Sequence, residues 1–244
     1  MYFELPETNI RIIGSMHRFP ADTASLPDWI TAAYEWSEDL IFEADNTHFL
    51  KYMHQSTGSK LQKQLTPETW AHLTELWPDH LPSLDLIRPW AVLLIAPALT
   101  FASVEGVEDA LLKRAADESK EIRYLETMEA FAAGCDLAPI DDVIQGIELL
   151  FSDLTVPKRG LEAIHGAWVR RDLRGVYEAA AESLMFKNPS FRDVMLRNRN
   201  QAWASNLATL FGTPKRTLVV VGALHLHGPE NFLSLLRTDT RSLG

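Results

Sequence analysis

The sequence predicts an α/β fold, with a central mixed sheet and a large helical insert or cap. Three observations predict it. Two apolar runs at opposite ends of the chain, Ile10-Arg11-Ile12-Ile13 and Thr217-Leu218-Val219-Val220-Val221, read as buried strands. A strand–helix–strand pattern follows the first run, as in a crossover between parallel strands. Between the two ends, apolar residues recur at helical spacing over most of the chain.

The elements follow in order. Tyr2 to Leu5 and Ile10 to Ile13 flank Pro6-Glu7-Thr8-Asn9, a turn-forming four, and predict a hairpin. Trp29, Ile30, Ala33 and Trp36 predict a helix over Pro27 to Glu38. Leu40-Ile41-Phe42 is a short strand ending at Glu43, which completes a βαβ start. Thr66-Pro67-Glu68 opens a helix towards Trp77, with Thr66 as N-cap and proline in the first turn. Further helices are expected at Leu84 to Ala96, Val107 to Ser119, Ile140 to Leu150, Gly160 to Val169, Leu173 to Met185 and Phe191 to Leu210, the last capped by Ser190. Ile122 to Leu125 reads as a strand between them. Pro214 breaks the chain before the last strand, and a helix from Pro229 to Arg237 closes it. Residues 1–244 read as one domain, with the helical cap over roughly 60–210 set between the two parts of the sheet.

At 244 residues the chain can bury one sizeable core, about 70% of its unfolded surface. No Gly/Ser linker divides it. A composition of 46% hydrophobic and 23% charged residues is that of a soluble globular protein. Net charge −10 argues against nucleic acid as a partner, and the basic run Lys187 to Arg199 reads as one helix with its approach. The single Cys135 excludes an intrachain disulfide and a thiolate metal cluster. Trp90 to Ala102 is the longest apolar run. It carries Pro97 and falls short of the about 20 residues that span a bilayer, so no transmembrane segment is expected, and the run reads as a buried core helix before a membrane-facing patch. The start of the chain carries no leader pattern, and a cytoplasmic location is expected.

The chemistry-bearing residues cluster where strands end. Gly14-Ser15-Met16-His17 and Gly222-Ala223-Leu224-His225 each follow a strand, and function in α/β folds sits at the C-terminal edge of strands. The glycine before each histidine suggests a tight backbone turn. Glu43 ends a third strand, so His17, His225 and Glu43 form a candidate divalent-metal site with room for water. Glu43 is equally a candidate general base, and Asp45 orients a ligand or caps a turn. Glu126, after the 122–125 strand, either ligates, acts as acid or base, or caps the helix near Thr127. Arg199 and Asn200 either present donors to a developing oxyanion or lie on a solvated helix face. His227 reads as a surface or supporting group, and His48, His54, His72, His80 and His165 show no ligand spacing.

With these residues in place, the chain resembles the TraB/PrgY/GumN family, related to the metalloprotease domain called TIKI. The likeness rests on Gly14-Ser15-Met16-His17, Phe42-Glu43-Ala44-Asp45, Arg88-Pro89-Trp90, Gly106-Val107-Glu108, Tyr124-Leu125-Glu126-Thr127-Met128-Glu129, Arg199-Asn200-Gln201-Ala202-Trp203-Ala204 and Val221-Gly222-Ala223-Leu224-His225-Leu226-His227-Gly228, in that order. The resemblance implies the fold shared with erythromycin-esterase-like and ChaN-like proteins. In the TIKI branch the two G-x-x-H histidines and the glutamate are tied to metal-dependent peptide cleavage, which carries over to His17, His225 and Glu43. The Arg-Asn pair falls on Arg199 and Asn200, and Leu-Glu-Thr on Leu125, Glu126 and Thr127. Relatives often add a short strand after the last helix. Here the chain stops at Arg241-Ser242-Leu243-Gly244, so an open sheet edge is expected, which either pairs with a second copy as a homo-oligomer or leaves the cleft wider.

The favoured expectation is a metal-dependent hydrolase of peptide or amide bonds. One manganese, zinc, cobalt or iron ion on His17, Glu43 and His225 would activate water. Arg199 or Asn200 would steady the oxyanion, and Glu43 or Glu126 would move the proton. The alternatives are a metal-independent His/Glu esterase acting on a small molecule, and a non-catalytic protein that binds a peptide, haem or metal.

Overall fold

A computed structural model describes residues 1–55, 61–236 and 241–242. In chain order the elements are β1 (Tyr2–Leu5), β2 (Ile10–Ser15), β3 (Arg18–Pro20), α1 (Asp28–Trp36), β4 (Asp39–Ala44), α2 (Phe49–Met53), α3 (Pro67–Leu76), α4 (Pro89–Leu99), β5 (Ser103–Glu105) and α5 (Val107–Asp117). They continue with β6 (Glu121–Glu126), α6 (Met128–Cys135), α7 (Ile140–Ser152), α8 (Val156–Val169), α9 (Leu173–Ala181), α10 (Leu184–Lys187), α11 (Pro189–Arg192), α12 (Asn198–Ala208), β7 (Thr217–Gly222), α13 (Phe232–Leu235) and β8 (Arg241–Ser242).

The fold is α/β with a mixed sheet, ordered β6-β4-β7-β2-β1-β8. Strand β7 pairs parallel to β2 on one side and to β4 on the other, and β6 runs parallel to β4. The N- and C-terminal apolar runs therefore lie side by side, with Ile10 opposite Thr217 and Ser15 opposite Gly222. Antiparallel pairing joins β1 to β2. All four parallel strands end on one edge of the sheet, which brings the residues after β2, β4, β6 and β7 together.

Side chains alternate along these strands, as the two-residue period demands. Ile13, Leu40, Phe42, Leu218 and Val220 face one core with α1, α5 and α8. Ile12, Ile41, Val219 and Val221 face the other with Trp203 and Leu207 of α12 and Phe232 of α13. Both faces are covered, which is why these strands are apolar at most positions of either parity. A third cluster, built on Trp90 to Leu93 of α4 and Val143, Ile147 and Leu150 of α7, takes no residue from the central sheet and forms the insert region. Of the Trp90–Ala102 run, Trp90 to Ala96 pack in that cluster. Among the described residues no helix is long and apolar enough to cross a membrane.

Several boundaries differ from the sequence expectation. The helix expected from Leu84 begins at Pro89, because Arg88 before proline is held extended. The helix expected over Leu173 to Met185 breaks at Ser183, whose hydroxyl caps a new turn. The helix expected over Phe191 to Leu210 contains a π-helical turn at Asp193–Arg197. The closing helix is only Phe232–Leu235, and the expected end at Arg237 lies outside the described residues. The edge expected to be open is not bare: β8 pairs with β1, Phe3 opposite Ser242 and Glu4 opposite Arg241. The small β3–β5 sheet was not visible in the sequence, because three-residue strands such as Arg18-Phe19-Pro20 carry no period.

Candidate metal centre

Glu43 sits at the end of β4 and is buried. It shares strand parity with Ile41, so it points to the face that α12 covers. Its Oε1 accepts the Gly222 backbone N–H at 2.6 Å, and its Oε2 accepts Arg199 Nη2 at 2.7 Å. The two histidines approach the same oxygen. His17 Nε2 lies 4.0 Å and His225 Nε2 3.8 Å from Glu43 Oε1.

Each imidazole is held by its other nitrogen. His225 is buried, its ring 4.4 Å from that of Trp203, and its Nδ1 lies 2.7 Å from Asn200 Oδ1. The Asn200 amide nitrogen donates to Glu230 O at 3.0 Å, so Oδ1 must accept and His225 Nδ1 must donate. Burial pushes the His225 pKa down, helped by Arg199 and His17 against Glu43, so the ring is neutral and its Nε2 offers a lone pair. His17 Nδ1 lies 3.2 Å from Glu108 Oε1, which also accepts the Ser15 hydroxyl. Glu108, and then Glu43, raise the His17 pKa to about 10 against Arg199, so the ring is protonated at neutral pH and would have to give up its Nε2 proton to ligate a metal. The His17 ring is 59% exposed and forms the open side of the site.

Glu108 arrives by tertiary contact. The backbone of His17 and Met16 accepts N–H bonds from Gly106 at 3.0 Å and Val107 at 2.9 Å, which docks the start of α5 beside β2. A Cβ on Gly106 would lie 1.9 Å from Met16 O, so only glycine permits this approach. Gly106-Val107-Glu108 stood among the family-like segments, but nothing in its spacing marked Glu108 as a partner of His17. Its Oε2 is buried without a hydrogen-bond partner.

Gly14 and Gly222 are not turn-makers. Neither has a positive φ, and among the described residues Gly228 is the glycine that does. Both sites instead need space. A Cβ on Gly14 would press on Ala223 at 3.2 Å and Leu226 at 3.1 Å. A Cβ on Gly222 would lie 3.3 Å from Glu43 Oε1, 3.6 Å from His17 Nε2 and 3.6 Å from His225 Cδ2. The missing side chain leaves a cradle that these three residues frame.

Arg199 is enclosed. Its Nε and Nη2 donate to Glu126 Oε1 at 2.8 and 2.6 Å, its Nη1 to Met195 O in the π-helical turn at 3.3 Å. The guanidinium packs over Phe131 and Trp203. For Glu43, burial favours the neutral acid, but Arg199, His17 and the Gly222 N–H outweigh it and the pKa is lowered. Glu126 moves the other way: burial and Glu43 raise it against the pull of Arg199. The structure thus brings together His17, Glu43, His225, Arg199, Asn200 and Glu126. Asp45 instead accepts the Thr47 N–H and caps a turn, and His227 packs against Tyr177.

Among the described residues, His17, Glu43 and Glu108 offer ligand atoms all within 4.8 Å of one another. This His/Glu/Glu group can hold a divalent ion, and the cradle before Gly222 and the orphan Glu108 oxygen fit such an occupant. Fold and site together define an α/β protein with a candidate metal centre at the C-terminal edge of its parallel strands. The chain belongs to the TraB/PrgY/gumN family, which matches residues 4–241. It is similar to the Uncharacterized protein YbaP of Escherichia coli (strain K12), 27% identical over 94% of this chain and 88% of that protein. The Shigella flexneri protein of the same name is 27% identical over 93% of this chain and 87% of its own length. No solved structure is matched.

Proposed function

We propose that the protein is a metal-dependent hydrolase of peptide or amide bonds, with His17 Nε2, Glu43 Oε1 and His225 Nε2 as ligands. One observation carries this reading: both ring Nε2 atoms face a single carboxylate oxygen, while Glu108 and Asn200 hold the Nδ1 atoms. A bound divalent ion would polarise the substrate carbonyl and lower the pKa of water. In the hydrolysis, water adds to the carbonyl carbon, the C–N bond breaks and a proton passes to the leaving amine. Arg199 keeps Glu43 ionised and offers positive charge where the oxyanion develops. Glu126, with its raised pKa, is the proton carrier. Asn200 acts through His225, since its amide is committed to that ring and to Glu230. The resemblance to the TIKI branch supports the same chemistry.

The unpartnered Glu108 Oε2 favours a second ligand set, with Glu108 replacing His225. Metal analysis separates the two after reconstitution with manganese, zinc and cobalt. Wild type should hold near one equivalent and His17→Ala none. In the favoured set His225→Ala abolishes binding, whereas Glu108→Gln weakens it by about 10–100-fold as the loss of a supporting hydrogen bond. In the second set Glu108→Gln abolishes it and His225→Ala does not. No metal in wild type overturns the proposal. Stoichiometric metal without cleavage in a peptide library leaves a binding protein.

A further inference from the structure

A cleft of about 930 Å³ adjoins the candidate centre. Arg199 and Glu126 form part of its wall, and Arg199 Nη2 reaches Glu43 Oε2 at 2.7 Å, so one guanidinium separates the cleft from a candidate ligand. Its surface is largely apolar, supplied by Tyr52, Tyr124, Met128, Phe131 and Val194. The hollow has a sequence cause. Ala130 and Gly134 lie one turn apart on α6, hence on one face, and Ala202 lines the cleft from α12. A Cβ on Gly134 would meet nothing within 4 Å, so the wall recedes there. The cleft runs beside β6, which among the described residues pairs with β4 alone. Its outer backbone edge can therefore accept an extended chain, although Leu125 O is already bonded to Asn206.

We propose that this cleft is the substrate subsite of the centre and takes a large apolar side chain, aromatic or long aliphatic, of a peptide next to the bond that is hydrolysed. The inference rests on the hydrolase reading for the word substrate, but not for the binding. The apolar walls desolvate such a side chain, while a small polar one would leave them wet. The volume admits a segment of extended chain and not only one side chain. Arg199 and Glu126 at the inner end then meet the peptide bond beside that residue.

The test fills the hollow. Gly134→Phe adds a ring inside a helix, where glycine is a poor helix former, and Ala202→Leu is the second variant if the first does not fold. Two octapeptides identical except for a central Phe or Ser serve as probes. Binding is read by fluorescence anisotropy on metal-free protein, hydrolysis on manganese- or zinc-reconstituted protein, and metal content beside both. The expected result is at least tenfold preference of wild type for the Phe peptide, lost in the variant, with metal content unchanged. Equal affinity for both peptides in wild type, or a preference that survives the filling of the cleft, overturns the proposal. A Phe preference that the variant removes, in a protein that holds no metal and cleaves neither peptide, upholds the subsite and refutes the hydrolase reading instead.

Discussion

Gly222→Ala is the sharpest perturbation of the centre, because it adds one methyl group and removes nothing. The added carbon lies 3.3 Å from Glu43 Oε1 and 3.6 Å from both His17 Nε2 and His225 Cδ2. At 3.6 Å these are ordinary contacts, and the 3.3 Å approach asks Glu43 to give by a few tenths of an ångström. Gly222 has φ −52° and ψ 135°, which alanine adopts without strain. Replacing glycine there lowers the entropy of the unfolded chain, a gain of about 0.4–1 kcal/mol that offsets the tight contact. The net change in stability is therefore expected within about 1 kcal/mol. Metal binding should respond differently. Ligand bonds of about 2.0–2.2 Å require the gap between these atoms to be empty, and the methyl fills it. At least 100-fold weaker binding is expected, about 2.7 kcal/mol. Elemental analysis and a chelator competition read the affinity, and thermal unfolding reads the fold. A variant that unfolds like wild type and still holds one equivalent of metal refutes the placement of the site.

Two further outcomes follow from the same geometry. Gly106→Ala drives a Cβ to 1.9 Å from Met16 O and 2.5 Å from the His17 carbonyl carbon, both backbone, so neither can rotate away. A loss above about 4 kcal/mol is expected, and a urea midpoint near that of wild type would refute the close packing of α5 on β2. Glu148 of α7 binds the cap of α3, accepting Thr66 N at 2.6 Å and the Thr66 and Thr69 hydroxyls at 2.9 and 2.5 Å. Burial opposes its ionisation, but these bonds prevail and its pKa is lowered. Its contribution is therefore complete above the ordinary value of 4.5 and is lost as pH falls through the lower folded value. Glu148→Gln should flatten the stability profile below pH 4.5, and parallel profiles for the two proteins would refute the linkage.

The parts legible in the sequence are those written in local patterns. Ile10–Ile13 and Thr217–Val221 are apolar on both faces, which marks a strand with cover on both sides. Thr66 before Pro67 marks a helix start, and its side chain does cap α3. His17, Glu43, Glu126 and His225 were visible as residues at strand ends. The π-helical turn before Arg199 was not, because its wider winding leaves the apolar spacing of residues 191–210 close to that of a helix. That turn ends at Arg197, two residues before Arg199, and supplies the Met195 carbonyl that Arg199 binds.

What the sequence by itself determined is the set of strands, their two faces and the chemistry at their ends, because backbone period and side-chain polarity act between near neighbours. The tertiary structure alone decided which of these ends meet. It seated β7 between β2 and β4, so that two distant Gly-x-x-His segments share one carboxylate oxygen. It brought Glu108 to His17 through the close approach at Gly106, and Asn200 to His225 across α12. It also changed the meaning of Gly222, from a turn to a space. A space is defined by atoms far apart along the chain, and no local pattern records it.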